Sequence, residues 1–309
     1  FDENESISVK FDFYRRHIVN EYLDLLKGMM SAINIPYKFV RKYKLKITHD
    51  VDQLYRYNGF LKCMRAMIGD IVFRKNPLLI FKTVKDAIKS NISRVHDPYN
   101  TFNFLMDCSE EVKTNSYFYF IPSVMGEIDA RYSINSKEVK EVINLILKRG
   151  HFIGVHGSWN SFNNPTLFQN ELNRFRQEGY NIEEGRQHYL KFENPLTWEI
   201  WNSNELKRDS SMGFYNRNGF RCGICYEFPV FSVIQRIKMN LIEEPLTFME
   251  NPFLLKRFTK SQCFEELKGL SNTVKQYKGD FIFLWHPNNF NNEWSQYSQN
   301  YQQYLDIIK

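Results

Sequence analysis

The chain has 309 residues, of which 43% are hydrophobic and 16% aromatic, a composition that excludes disorder and suits one packed globular unit. No apolar run reaches the length of a membrane-spanning helix. The net charge of +6 is concentrated: between Arg56 and Arg94 stand nine basic residues and two acids, nine minus two giving +7, so the remainder nearly balances.

In chain order, residues 1–35 predict a helical lead-in, with Phe13, Ile18, Tyr22, Leu25, Leu26 and Met29 at roughly helical spacing. The lead-in extends to about residue 40, and Tyr43 to Ile47 alternates as a strand should. The basic stretch 56–94 predicts a helical insertion with apolar stripes (Leu61, Met64, Met67, Ile68 and Ile71, then Phe81, Val84 and Ile88), divided at Asn76-Pro77. Ser116 to Ile121 predicts a buried aromatic strand. A helix follows over 135–148, opened by a capping box of Asn135 and Glu138 and stopped at Gly150. Phe152 to Val155 predicts a strand, Glu171 to Glu178 a helix, Arg186 to Phe192 a strand, Pro195 to Asn202 a helix and Phe281 to Trp285 a strand. Alternation of strands and helices is the pattern of a β/α barrel or open α/β sheet, and no Pro/Gly-rich linker divides the chain, so residues 1–309 are expected to form a single domain.

Four polar clusters end these apolar runs: Thr48-His49-Asp50-Val51-Asp52, His151 to His156, Arg186-Gln187-His188, and Leu284-Trp285-His286. Carboxylates and imidazoles at strand ends are the usual furniture of metal-assisted hydrolysis. Asp50 and Asp52, two apart, project to one face, while His49 and Val51 face away. One carboxylate of such a pair can bind a divalent cation while the other takes a proton from water; a turn or a helix cap accounts for the pair equally well. His151 and His156 fall on opposite faces, which makes His156 the better ligand and His151 a structural residue. Arg186 would orient Asp50 through a bidentate pair, and His188, on the same face, is a further candidate ligand. His286 stands where it could donate a proton, or hydrogen-bond Asn288 or Asn289 at the rim. His17 and His96 have no such setting. Five scattered cysteines (Cys63, Cys108, Cys222, Cys225 and Cys263) point away from a disulfide framework and toward a reducing, cytoplasmic compartment; the lone Cys222-Gly-Ile-Cys225 lacks the second pair that a structural zinc site needs.

Together with Asp209 to Phe214 and Gly219-Phe-Arg-Cys-Gly223, these clusters in this order resemble the polysaccharide deacetylase superfamily (carbohydrate esterase family 4, the NodB homology fold), in a branch tied to surface-polysaccharide gene clusters such as those for O-antigen or capsule. The similarity runs from about Lys46 to Phe290. It implies a distorted (β/α)7 barrel and a zinc ion, or another divalent metal. By position, Asp50 matches the general base, Asp52 the metal carboxylate, His156 the first metal histidine and His286 the general acid. The chain departs from the pattern at Asn160, where a second metal histidine is expected, and His188 stands where the family has proline. His188 is therefore inferred to replace the missing ligand, giving Asp52, His156 and His188 plus water.

The resemblance implies hydrolysis of an acetamido C–N bond on a sugar, with Asp50 held by Arg186 as base and His286 as acid. Asp209, Arg221 and Trp285 are added as candidate substrate contacts, Asp209 doubling as a helix cap. Two other classes stay open: a repurposed metalloprotein acting on another amide or carboxyl group of a sugar alongside a partner enzyme, and a non-catalytic glycan binder. The expected partner is a carbohydrate, carried on a nucleotide or a lipid pyrophosphate if segment 56–94 serves an anionic partner at the inner membrane face; that segment reads more readily as a solvated helical face. No nucleic-acid motif accompanies the charge.

Overall fold

The computed structural model describes residues 3–57, 64, 68, 79–122, 129, 130 and 132–309. Much of the expected helical insertion, including Lys62, Arg65, Arg74, Lys75 and the Asn76-Pro77 break, lies outside the described residues, as does Cys63.

The lead-in carries helix α1 (Ile18–Ala32), and helix α2 (Leu79–Ile92) belongs to the basic segment. Strand β1 (Lys44–Val51) then alternates with the rest in β/α order: α3 (Phe102–Glu111), β2 (Ser116–Phe120), α4 (Lys137–Lys148), β3 (Phe152–Gly157), α5 (Pro165–Gln177), β4 (Glu184–Gln187), α6 (Leu196–Ser203) and β5 (Arg208–Asp209). A hairpin of β6 (Phe228–Ser232) and β7 (Ile237–Glu243) follows. The chain ends with β8 (Phe248–Met249), α7 (Lys260–Gln276), β9 (Asp280–Leu284) and α8 (Tyr301–Ile308).

Among the described residues nine strands form one sheet in the order β6-β7-β5-β4-β3-β2-β1-β9-β8, parallel throughout except for the β6–β7 hairpin. The expected α/β alternation is present. The described residues form a curled half-barrel sheet of nine strands, with β6 folded back antiparallel on β7. Residues 244–247 lead from β7 to β8: Leu246 N donates to Met212 O and Thr247 N to Ile282 O, so this connection lies between the two ends of the curl.

Parallel strands are buried on both faces, and β1 shows how this chain uses that. Ile47, His49 and Val51 point outward under the helices, all fully buried, while Lys46, Thr48 and Asp50 point into the curl. The outer layer is apolar: Val139, Val142, Ile143 and Ile146 of α4 and Phe168, Leu172 and Phe175 of α5 sit in one continuous core with Phe118, Phe120 and Val155. The inner layer is polar. Lys46 at the N-terminal end of β1 reaches Glu184 of β4 and Glu244 after β7, a contact across the curl that only a strongly bent sheet permits.

Four boundaries differ from expectation. Helix α4 is capped by Ser136, whose hydroxyl accepts from Val139 N, one residue beyond the expected Asn135. Helix α5 starts at Pro165 behind an Asn164 cap, a turn and a half before Glu171, since Pro fits the first helical position. The expected strand from Arg186 to Phe192 stops at Gln187. His188 to Leu190 form a tight turn in which Tyr189 and Leu190 have φ of 56° and 54°, left-handed values that β-propensity does not anticipate. Strand β1 runs further than expected and carries Thr48 to Val51 of the first polar cluster, with Asp52 just past its end.

Candidate metal and catalytic site

The C-terminal ends of β1, β3, β4 and β9 converge on a cleft of about 180 Å³ that holds Asp50, Asp52, His156, His188 and His286. Their positions follow from register. His156 pairs with Arg186 across the parallel β3–β4 ladder, so one step beyond the end of β4 brings His188 beside His156. Close approach of those strands depends on Gly185, where a Cβ would lie 1.9 Å from Val155 O.

His156 Nδ1 lies 2.9 Å from Arg186 O; a carbonyl only accepts, so Nδ1 carries a proton and Nε2 is the nitrogen turned to the cleft. His156 Nε2 and His188 Nδ1 are 3.0 Å apart, and Asp52 Oδ1 is 3.5 Å from each. That triangle matches the edge of roughly 3.3 Å expected between ligand atoms tetrahedrally disposed at about 2.0–2.1 Å around one ion. Asp52 Oδ1 is shielded from solvent yet has no hydrogen-bond partner, a costly arrangement that a cation would relieve. These three residues could therefore hold one divalent ion. Burial would raise the Asp52 carboxyl, but His188, His156 and His286 outweigh it and hold the group well below the usual carboxylate range.

Beneath this triangle lies Asp50, fully buried. Burial opposes its charge, but Arg186 and the histidines prevail, so it stays ionised. The expected bidentate pair is not what the fold builds. Arg186 gives one nitrogen, Nη1, to Asp50 Oδ1 (2.8 Å) and to Thr48 Oγ1 (3.1 Å), while Nε and Nη2 are taken by Ser210 O and Ser210 Oγ. The guanidinium approaches from below and ties β1, β4 and the end of β5 together. Asp50 Oδ2 is left facing the cleft, 3.7 Å from His156 Nε2.

His286 closes the far side, its Nε2 3.8 Å from Asp52 Oδ2. Its Nδ1 contacts Glu250 Oε1 at 2.7 Å, and the same oxygen accepts from His286 N and Asn289 Nδ2. Burial alone would lower this imidazole; Glu250, with Asp52 and Asp50, raises it instead to about 10, so it is protonated at neutral pH. Sequence reasoning missed Glu250, which follows a two-residue strand with no apolar run to announce it. It also missed Tyr189, Tyr215, Trp294, Asn251 and Asn288, which line the cleft from turns, connections and the start of a short helix, Asn251–Leu255. Tyr189 and Tyr215 stack with centroids 5.8 Å apart at its edge.

The three expected substrate contacts are not in the cleft. Trp285 is fully buried and donates from Nε1 to Asn289 O. Asp209 is also fully buried and caps no helix: it accepts from Ser211 beside Glu243, and burial raises it to about 6. Arg221 turns to Gly213 O. His49 and His151 face the outer layer, His49 against Trp285 O and Ser116, His151 accepting from Ser116 N and meeting Glu110. Cys222 and Cys225 are free, and burial pushes Cys225 up to about 12 and Cys222 well above its usual value, so the pair presents no thiolate.

No family model matches the sequence, and no curated protein matches it. Among solved structures, the chain is similar to the crystal structure of a "putative polysaccharide deacetylase" from Mycobacterium smegmatis, with 12% identity over 88% of this chain and 86% of that one, at a TM-score of 0.54. Identity this low speaks for architecture alone, and on that point sheet and likeness agree: this chain shares the overall α/β fold of that structure.

Proposed function

We propose that this protein is a metal-dependent hydrolase that removes the acetyl group from an acetamido sugar of a surface polysaccharide or its precursor. The observation that carries the reading is the triangle of Asp52 Oδ1, His156 Nε2 and His188 Nδ1, with edges of 3.0, 3.5 and 3.5 Å, set between an ionised carboxylate and a protonated imidazole. A divalent ion on those atoms, zinc by the chemistry of one carboxylate and two imidazoles, would polarise the amide carbonyl and acidify a water. Asp50, ionised and fixed at Oδ1 by Arg186, takes the proton of the attacking water at Oδ2. His286, held by Glu250 with Nε2 toward the cleft, delivers its proton to the departing amine nitrogen. A base that stays ionised and an acid that stays protonated at the same pH are the pairing this reaction requires. The stacked Tyr189 and Tyr215 with Trp294 offer flat apolar surface to a sugar ring, and Asn251 and Asn288 offer amides to its hydroxyls.

The test is acetate release from N-acetylated oligosaccharides by the zinc-loaded protein, compared with Asp50→Asn. Release that falls by about 10²-fold or more in the variant supports the reading. Metal bound at full occupancy without acetate from any N-acetyl glycan would sink it, leaving either a glycan binder or an enzyme for another sugar amide or carboxyl group.

A further inference from the structure

Helix α2 is built inside out. Its buried face carries Thr83, Ala87 and Ser90, while Phe81, Val84, Ile88 and Ile92 stand exposed in one stripe at helical spacing, continued by Val95. Exposure reaches 77% for Phe81, 80% for Ile92 and 75% for Val95, whereas a helix packed for solubility alone would turn these residues inward. The small residues inside are held by specific contacts: Ser90 Oγ donates to Asp97, and Ala87 packs on Tyr57. Lys85 and Lys89, both exposed, run along one edge of the stripe, and Asp86 is the sole acid on the helix. Met64 and Ile68, the described residues of the preceding stretch, are exposed as well.

We propose that this face docks onto an anionic lipid surface. An apolar stripe beside lysines is the form of a helix lying in the plane of a membrane interface. The +7 balance of residues 56–94 supplies the charge complementarity, and it also disfavours a second copy of the chain as occupant, because two-fold pairing would set these lysines against themselves. The helix is rooted on the cleft side of the barrel. The chain leaves β1 at Asp52, Arg56 N and Tyr57 N donate to Asp97, Asn291 Nδ2 donates to Pro98 O, and Thr101 Oγ1 to Pro287 O, next to His286. Docking here brings the mouth of the cleft toward the lipid. The inference stands on exposure and charge and is independent of the hydrolytic reading.

The experiment is co-sedimentation of the full chain with vesicles of phosphatidylglycerol and phosphatidylcholine, against phosphatidylcholine alone, at low and high salt. Two variants accompany it: Lys85→Glu with Lys89→Glu, and Phe81→Ser with Ile88→Ser. The proposal expects binding to anionic vesicles, release by salt, and partitioning roughly ten-fold weaker or more in the lysine variant, with unchanged thermal melts because all four residues are exposed. The apolar variant should lose binding even at low salt. Three results would overturn it: no co-sedimentation at low salt, binding that both variants leave intact, or a dimer that the apolar variant dissolves.

Discussion

At the residue scale, two buried glutamates set testable limits on stability and on the proposed reaction. Glu171 accepts from Ser158 N and Ser158 Oγ behind the cleft, and burial, only partly offset by those bonds, raises it from 4.5 to about 7. A raised carboxyl favours the folded chain at low pH. The folded chain holds a proton there that the unfolded chain releases above about 4.5, so this stabilisation is complete below that value and is lost as pH rises through about 7. Glu171→Gln should therefore unfold at a higher temperature than wild type at pH 8, by on the order of 1–3 kcal/mol, with the gap closing toward pH 4.5. Equal shifts at both values would contradict the argument. Glu250 acts through His286. Replacing it by Gln removes the nearest negative charge, so the alkaline limb of kcat/KM, set near 10 by His286, should move down by about a unit or more while acetate remains the product. An unmoved limb would assign that limb to another group.

At the element scale, the strand ends were readable because a charged residue inside an apolar run has few structural reasons to be there. The common facing of Asp50 in β1 and Asp52 one residue past its end follows from two-residue periodicity. The meeting of His156 with His188 needed the β3–β4 register, which no local pattern states. The turn at Tyr189 and Leu190 was hidden for the opposite reason: its residues prefer extended backbone, and tertiary context holds them at positive φ. Trp285 was misassigned because a strand-end aromatic reads alike whether it faces the cleft or the outer layer. Gly185→Ala tests the register argument. The added carbon meets first a backbone oxygen and carbon, which cannot swing aside, so β3 and β4 must separate, at a cost of about 1–3 kcal/mol and with loss of the 2.9 Å contact that orients His156. A variant of wild-type stability with intact metal binding would show that the strands tolerate spreading.

At the scale of the whole molecule, the curled sheet stacks its inner polar groups in layers: Lys46 with Glu184 and Glu244 at the base, Arg186 with Thr48 in the middle, the carboxylates and imidazoles at the mouth. Composition and alternation made the α/β class legible, but the base layer was not, since Lys46 finds its partners only after the sheet bends. Lys46→Met should leave Glu184 with Tyr119 alone and Glu244 with Arg208 alone, destabilising the fold by about 1–3 kcal/mol, with recovery when Glu184→Gln is added. No helix among the described residues is long and apolar enough to cross a membrane. The proposed metal centre depends on His188 supplying the ligand that Asn160 cannot. Elemental analysis of the purified protein and of His188→Ala, after equilibration with zinc, tests this directly. Near-stoichiometric zinc in the wild type, lost in the variant, is the predicted result; zinc retained by the variant, or absent from both, would contradict it.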